Sequence, residues 1–371
     1  IVVFVDIANG FLQPMGQQIT LSQAGMIFFM FLPVVSTMIG FCMLWIVGRW
    51  KAVKEGWLPC LISGTVIGLV SYVTNRFDNL VVLTGILCGI AVIIAMIIYL
   101  KVQGKKVIDR SRLTKEEIEY AKKYPLWKAL SPWVLLIVII LALNIPKDMF
   151  NFLYREMKMP IIGLTADGKP LDTRLLWQAY TWIFASIIVS IPFVRPSFSQ
   201  VKGSLSTWVR RAPRPVFSAA IFFAIGEVMN MSGYSISSKG FSVPSMVKVL
   251  ADYSSQFFHN AYGSVVAFIG LFGGFSTGSE ASTLAMFGKY TLSTAKNLEL
   301  EITGLIIITA GLAFGGGLAS VISPAKLQNA AASIDKIGSE TGVIRTAFVF
   351  SILLTVVTSI FVSIFLFIRV Y

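Results

Sequence analysis

Residues 80–100 read LVVLTGILCGIAVIIAMIIYL, without one charged side chain, and residues 346–368 read TAFVFSILLTVVTSIFVSIFLFI, again without one. About 20 apolar residues, each rising 1.5 Å along a helix, cross the hydrocarbon core of a bilayer. A helix satisfies all of its own backbone hydrogen bonds there, whereas a transmembrane barrel shows short segments of alternating hydrophobicity. The two stretches predict spanning helices and an all-α polytopic membrane protein.

The composition of the whole chain agrees with this fold class. Of its 371 residues, 56% are hydrophobic and 13% are charged, whereas soluble domains carry about 25% charged residues. The net charge of +13 could indicate nucleic acid as a partner. The basic residues, however, lie in short loops between apolar stretches, where they set membrane orientation. We therefore expect the lipid bilayer as a partner and no nucleic acid.

Six ordinary spans are predicted before the last third of the chain. Two local signals refine them: Gly64 and Gly68 form a small-xxx-small pair that permits close helix contact, and Thr114 with Glu117 forms a capping box for a short surface helix that ends before Pro125. Residues 1–23 remain unassigned. The predicted spans are 24–48, 57–74, 80–100, a span with Ser131 as N-cap and Pro132 at the first helical position that ends near Pro146, 177–194 and 215–232.

Basic residues predict the orientation of these spans. Nine Lys or Arg residues lie in the loop 101–129, and the loops after the first and fifth spans are also rich in them. In multi-pass membrane proteins, short loops rich in Lys and Arg lie on the cytoplasmic side. We therefore expect loop 101–129 to be cytoplasmic. Single cysteines introduced into this loop, in a protein without Cys42, Cys60 and Cys88, should not react with an impermeant thiol reagent added outside intact cells. Labelling from outside would contradict this orientation. We expect residues 1–200 to form a scaffold and residues 201–371 to form a C-terminal transport region.

Two apolar segments in the last third are interrupted at their centres. Residues 270–288 read GLFGGFSTGSEASTLAMFG and residues 311–333 read GLAFGGGLASVISPAKLQNAAAS. Gly273, Gly274 and Gly278 are expected to let the backbone leave helical geometry in the first segment. In the second, three consecutive glycines precede Pro324, which disfavours helix at Ser323. Broken or re-entrant helices of this kind hold substrate and ion sites in transporters.

Polar residues at the two breaks are the first candidates for a site. Glu280 lies where the first helix restarts, and a helix N-terminus attracts an anion. Lys326 follows the second break, and a lysine at membrane depth usually has a partner or an aqueous cavity. The alternatives are a glycine-rich turn outside the membrane and a lysine that reaches the surface. The hydroxyls of the first break belong to Ser276, Thr277, Ser279 and Ser282.

A third candidate is a polar stripe in the sixth span. Glu227, Asn230 and Tyr234 are spaced i, i+3 and i+7, which places them on one face of a continuous helix. An acidic side chain inside a membrane is a functional candidate. The alternative is a structural hydrogen-bond partner near the outer interface.

Other chemistry has little support in the sequence. His259 is the only histidine, and no Gly-x-Ser-Gly motif accompanies it, so an intramembrane serine protease with a positioned base is disfavoured. The chain contains no P-loop, dinucleotide fingerprint or metal-spaced His/Cys cluster. We expect no enzyme activity, no cofactor and no metal.

At the two breaks the chain resembles the L-lactate permease family, which also takes glycolate. GSEASTLAMFG at 278–288 is similar to the family pattern Gly-Ser-Asp-x-Ser-Ser-Asn-x-Leu-Phe-Gly, with Glu280 in place of Asp and Leu284 in place of Asn. ISPAKLQNAAAS at 322–333 resembles the Ile-Ser-Pro…Ala-Ala-Ala stretch, although Lys326 stands where a neutral polar residue is expected. VMNMSG at 228–233 resembles the Met-Asn-x-Ser-Gly pattern that ends a span in members of this family. Family members are longer at the N-terminus, so the resemblance implies that this chain lacks an N-terminal part.

The resemblance implies proton-coupled symport of a small 2-hydroxymonocarboxylate, lactate or glycolate, in the cell membrane. The substrate site would lie between the two breaks, and Glu280 is preferred over Glu227 as the proton-coupling residue. Sodium-coupled carboxylate transport and a passive anion channel are the alternatives, and homo-oligomerisation stays open. The predicted substrate-binding residues are Ser276, Thr277, Gly278, Ser279, Ser282, Ser323 and Lys326.

Overall fold

The computed structural model describes residues 1–107, 113–123, 125–163, 168, 171–333 and 338–370. The described residues are mostly helical, and two short antiparallel hairpins pair Met159–Ile161 with Leu171–Thr173 and Tyr234–Ser235 with Gly240–Phe241. The helices are α1 (Val2–Leu12), α2 (Leu21–Thr74), α3 (Asp78–Val81), α4 (Thr84–Val102), α5 (Lys115–Lys123), α6 (Leu126–Asn144), α7 (Lys147–Asn151), α8 (Ala179–Val194), α9 (Phe198–Arg211), α10 (Pro213–Met231), α11 (Met246–Phe258), α12 (Tyr262–Thr277), α13 (Glu280–Asn297), α14 (Ile302–Ala319), α15 (Pro324–Ser333) and α16 (Glu340–Val370).

Five of the described helices are long and apolar enough to cross a membrane: α2, α4, α6, α14 and α16. The prediction of an all-α multi-pass membrane protein is therefore confirmed. The final span, predicted over 346–368, lies within α16. The division into a scaffold and a transport region stays a prediction.

The first two predicted spans are the two arms of α2. Gly48 and Arg49 are not helical, and Arg49 has a φ of 51°. The arms fold back on each other, because a Cβ added to Gly64 would come within 1.7 Å of Thr37 Oγ1 on the opposite arm. The close contact expected at Gly64 is thus present. The second arm begins well before the predicted Trp57, so Lys51 and Lys54 belong to the helix and not to a loop.

The predicted start of the fourth span is wrong. Helix α6 begins at Leu126 after Pro125, and Ser131 lies inside it, where its hydroxyl donates to the Lys128 carbonyl. Pro125 has an extended backbone and sets the helix start, while Pro132 is accommodated in the second turn. The earlier start gives α6 a length of 19 residues.

Two capping boxes begin helices outside the long spans. Thr114 and Glu117 form the predicted reciprocal pair: the Glu117 N–H donates to Thr114 Oγ1 and the Thr114 N–H donates to Glu117 Oε2. These bonds lower the pKa of the exposed Glu117 carboxyl. The second box joins Ser197 and Gln200 at the start of α9. Helix α9 was not predicted, although Ser-x-x-Gln is the same signal.

The interior of the described chain is built around α14. In α14, 78% of the apolar stretch is buried, compared with 6% in α4 and in α6. Its neighbours include α12 and α13, the helices that flank the first break, together with α16 and α2. Helix α1 packs against α13. The helix that leads into the second break is therefore surrounded by protein, while α4 and α6 expose apolar side chains such as Ile93 and Val138.

Glycines allow α12 and α14 to touch along their backbones. A Cβ on Gly270 would lie 2.1 Å from the Leu312 carbonyl oxygen, one on Gly274 would lie 2.1 Å from that of Gly316, and one on Gly315 would lie 2.0 Å from that of Ala267. No side chain fits at such separations. Small residues promote this kind of packing between membrane helices, where lipid gives no hydrophobic driving force for association.

These contacts correct the expected role of the glycines. Gly273 and Gly274 are helical residues of α12, and the run Gly315–Gly317 is helical in α14. Of the three glycines at the first break, only Gly278 leaves helical geometry, with a φ of 68°. Gly273, Gly274, Gly315 and Gly316 permit close packing, since a Cβ on each would come within 3.1 Å of a neighbouring helix. The second break lies after the glycine run.

We predict that Gly274→Ala destabilises the protein by about 1–3 kcal/mol, the usual cost of overpacking a core, because its methyl group meets the Gly316 backbone. Gly89→Ala in α4 is the matched control, since nothing lies within 4 Å of its added Cβ. The control should be neutral or stabilising. Thermal unfolding of the purified protein measures both, and equal unfolding temperatures for the two variants would contradict the packing.

Candidate functional site

The first break is a single turn between α12 and α13. Gly278 ends α12 in the left-handed conformation, and its N–H donates to the Gly274 carbonyl at 2.8 Å. Ser279 is extended and caps α13, its hydroxyl accepting from the Ser282 N–H at 3.3 Å. The chain therefore stops one helix and starts another within two residues.

The second break lies between α14 and α15. Helix α14 ends at Ala319, a short turn follows, and Pro324 is the first residue of α15. Ser323 is fully buried, and its hydroxyl has no hydrogen-bond partner among the described residues. A buried hydroxyl without a hydrogen bond lowers the folding stability by about 1–3 kcal/mol. Ser323 is therefore a candidate to bind a ligand.

The two breaks are in contact. A Cβ added to Gly278 would lie 2.7 Å from Ser323 Oγ and 3.8 Å from Lys326 Cγ. The Ser323 hydroxyl therefore lies directly against the turn of the first break. Residues far apart in sequence are brought together because α12 and α14 run in backbone contact up to these turns.

The charged candidates lie around this junction. The Glu280 carboxylate lies beside α14, since a Cβ added to Gly317 would be 3.7 Å from Glu280 Oε2. Lys326, in the first turn of α15, interacts electrostatically with Glu280. Both side chains are exposed at the surface of the described chain. The junction thus carries the Glu280 carboxylate and the Lys326 ammonium group at its edge.

Several predicted hydroxyls already have partners within the protein. Ser276 is exposed and donates to the Phe272 carbonyl. Thr277 Oγ1 lies 3.0 Å from the Ser279 carbonyl oxygen and accepts from the Ser279 N–H at 3.1 Å. Ser282 is buried one turn into α13. Thr277 and Ser279 thus shape the turn, whereas the buried Ser323 hydroxyl has no hydrogen-bond partner among the described residues.

Sequence reasoning missed Thr283. It is fully buried and donates to the Ser279 carbonyl at 2.9 Å. Its methyl side fits between the two helices, within 3.1 Å of a Cβ added to Gly316 and 2.7 Å of one added to Gly273. It therefore links the first break to α14. The serine- and threonine-rich motif contains it, but its role depends on contacts with residues distant in sequence.

The prediction that Glu227, Asn230 and Tyr234 share one face of a helix is wrong for Tyr234. Helix α10 ends at Met231, so Tyr234 lies in a short hairpin opposite Phe241. Asn230 is buried, and its Oδ1 has no partner among the described residues. Glu227 pairs with Lys289 of α13, with 3.8 Å between Oε2 and Nζ, and not with Asn230. The sequence did not single out Lys289 because the ion pair joins two separate helices.

The junction has the chemistry of an anion site. The first turn of any helix leaves backbone N–H groups without partners inside the helix and carries a positive dipole end. Here α13, of 18 residues, and α15, of 10 residues, both begin at the junction. Carboxylates and phosphates bind such ends. The side chains of Gln328 and Asn329, which follow Lys326, lie outside the described part of the structure.

Comparison with known proteins gives a consistent result. The sequence model of a family described as L-lactate permease matches residues 11–369. The glycolate permease of Escherichia coli is 23% identical over 349 residues, covering 85% of this chain and 59% of the relative. The L-lactate permease of E. coli is 20% identical over 356 residues, covering 89% and 62%. The L-lactate permease of Bacillus subtilis is 23% identical over 353 residues, covering 85% and 60%.

This chain therefore spans about 60% of the length of the curated relatives that it matches. These relatives are named as permeases, that is, as transporters. No solved structure shows a significant match.

A double-mutant cycle tests the contact between the breaks. Gly278→Ala should destabilise the protein, because a left-handed backbone costs a side chain about 1–2 kcal/mol and the methyl group meets Ser323 Oγ. Adding Ser323→Ala removes that oxygen, so the double variant should recover about 1 kcal/mol of coupling energy, within the range for contacting residues. Gly104→Ala shares the positive φ but has nothing within 4 Å, so it should show no coupling with Ser323→Ala. Additive changes in unfolding free energy at Gly278 and Ser323 would contradict the contact.

Proposed function

This chain belongs to the L-lactate permease family, and we propose that the protein is a secondary transporter of a small 2-hydroxymonocarboxylate, lactate or glycolate, across the plasma membrane. The observation that carries the proposal is the junction of two helix N-termini around a buried, unpaired Ser323 hydroxyl. Family membership supports the substrate class, and the helix N-termini with the unpaired hydroxyl support a carboxylate site at the junction.

The substrate carboxylate would bind between the two turns. From one side, the N–H groups at the start of α13 would donate to it, in a turn shaped by Ser276, Thr277, Gly278, Ser279 and Ser282. From the other side, the Ser323 hydroxyl would donate, and Lys326 would add a positive charge at the edge. A bound carboxylate would give Ser323 the partner that the described chain does not supply.

Proton coupling is assigned to Glu280. Accumulation of an anion with a proton requires a group that binds H⁺ in step with the substrate. Glu280 lies at the first break and is exposed, so it can exchange protons with water. Glu227 lies away from both breaks, on α10, where it pairs with Lys289 of α13. Glu280 is therefore better placed than Glu227 to take up a proton together with a substrate.

Transport would follow from movement of one group of helices against another around the junction. Residues 201–371 contain both breaks, and we assign the moving, substrate-carrying part to them, with residues 1–200 as scaffold. The backbone contact between α12 and α14 would keep the two breaks together during the movement.

Ser323→Ala is expected to weaken substrate binding without harming the fold. Losing a hydrogen bond to a charged group costs about 1.5–3 kcal/mol, so the apparent KM should rise about ten- to hundredfold. Stability should stay equal or increase, because the hydroxyl has no internal partner. Ser320→Ala is the matched control: it breaks a bond to the Gly317 carbonyl and should lower stability slightly but leave KM unchanged. Unchanged lactate and glycolate uptake by Ser323→Ala proteoliposomes would remove Ser323 from the site.

Glu280→Gln is expected to separate substrate movement from proton coupling, because glutamine resembles the protonated acid. In proteoliposomes, this variant should retain lactate counterflow at equal pH but lose uphill uptake under an inward proton gradient. Glu301→Gln, at the exposed start of α14, should behave like the unmodified protein.

If Glu280→Gln still concentrates lactate with normal pH dependence, Glu280 is not the coupling residue, and Glu227→Gln is the next variant. In the unmodified protein, accumulation driven by a sodium gradient and not by a proton gradient would favour sodium coupling. A non-saturating flux without counterflow would identify a channel.

A further inference from the structure

Helix α9 has almost no packing partner within the described chain. All of its 14 residues except Thr207 are exposed. Helices of about 12–15 residues are marginal in water on their own. The capping box at Ser197 and Gln200 defines the helix start, but a cap contributes only about 1 kcal/mol. The helix therefore needs a contact that the described chain does not provide.

The side chains of α9 are sorted onto two faces. At 100° per residue, five large apolar side chains fall within an arc of about 100°. These side chains form an apolar stripe that is exposed within the described chain: Phe198 is 83% exposed and Trp208 is 65% exposed. The opposite face is polar. The stripe consists of Phe198, Val201, Leu205, Trp208 and Val209.

The side of α9 that faces α10 is mostly polar. A groove of about 860 Å³ separates α9 from the start of α10 and is lined by Gln200, Ser204, Thr207 and Arg211, with Trp208 at its border. Most of the apolar stripe points away from this groove. The stripe is thus directed outward, away from α10.

Charge identifies the surface that fits α9. No acidic residue occurs between Asp172 and Glu227, whereas five basic residues lie in the segment 195–214. Helix α9 joins the apolar helices α8 and α10 through short connections, which hold it close to the membrane surface. The basic residues are Arg195, Lys202, Arg210, Arg211 and Arg214.

We propose that α9 lies in the plane of the membrane interface and binds anionic phospholipids. Its apolar stripe would enter the boundary between headgroups and acyl chains, and its basic side chains would contact lipid phosphates. Lys202 borders the stripe, so its stem covers apolar surface while its ammonium group reaches the headgroups. By the same charge argument as for loop 101–129, this surface is the cytoplasmic leaflet.

Helix α5 shows that exposure alone does not produce this surface. Its described side chains are also exposed, apart from the half-buried Ile118, but its sequence KEEIEYAKK mixes acids and bases and lacks a row of five large apolar side chains. Helix α5 is therefore the internal control for a helix in water. The proposal for α9 does not rest on transport activity.

Spin labels test the position of α9 in vesicles that contain the complete protein with Cys42, Cys60 and Cys88 replaced. A label at Leu205→Cys should be accessible to oxygen and shielded from an aqueous nickel chelate. Labels at Ser199→Cys, on the polar face, and at Ala121→Cys, on α5, should be accessible to the nickel chelate and less accessible to oxygen. Nickel access at position 205, or shielding from both reagents by another protein segment or a second copy, would overturn the proposal.

Lipid charge is tested by the affinity of the detergent-purified protein for phosphatidylglycerol. Arg210→Gln with Arg211→Gln should weaken binding about fivefold per residue, the usual contribution of a basic residue near an anionic surface. Lys115→Gln with Lys122→Gln on α5 removes the same charge and should have little effect. Equal losses in the two double variants, or equal binding of phosphatidylcholine or of inorganic phosphate, would contradict a specific anionic lipid surface.

Discussion

The backbone contact between α12 and α14 is the constraint on which the rest of the structure depends. Gly270, Gly274 and Gly315 bring carbonyl oxygens of one helix to positions that a side chain would otherwise occupy. In a bilayer, helices gain nothing by hiding apolar surface from lipid, so such close packing supplies the association energy. Because the two helices stay in contact to their C-terminal ends, their breaks lie side by side. The junction of Gly278 and Ser323 follows from this packing and not from any direct linkage in the chain.

The junction combines groups with internal bonds and one group without them. The Thr277 and Thr283 hydroxyls bond to the backbone of Ser279 and fix the first turn. Ser323 is buried against that turn with its hydroxyl unpaired, which is unfavourable unless another molecule supplies a partner. A rigid turn beside an unsatisfied donor is the arrangement expected of a preformed binding site. In the proposed function, the substrate carboxylate would accept from the Ser323 hydroxyl.

The bilayer explains the distribution of side chains around this centre. Helix α14 is buried by protein, whereas α4 and α6 present apolar side chains outward, where lipid replaces water. The charge of Glu227 on the apolar helix α10 is compensated by Lys289 of α13. Helix α9 extends the same pattern to the membrane surface, with apolar and basic residues on separate faces. The composition thus reflects two solvents, hydrocarbon and interface, acting on one chain.

The sequence by itself determined the fold class, the charge-free helical stretches within α4 and α16, and the existence of both breaks. The charge-free stretch 80–100, the capping box of Thr114 and Glu117, and Pro324 act locally, so their effects can be predicted without knowing the fold. Only the tertiary structure decided which glycines bend the chain. Gly274 and Gly278 are the same residue type four positions apart, yet one packs inside a helix and the other ends it. The same holds for Ser323, whose significance depends on Gly278, and for Glu227, whose partner Lys289 lies on another helix. A local signal is fixed by neighbours in sequence, whereas a contact depends on how distant helices pack.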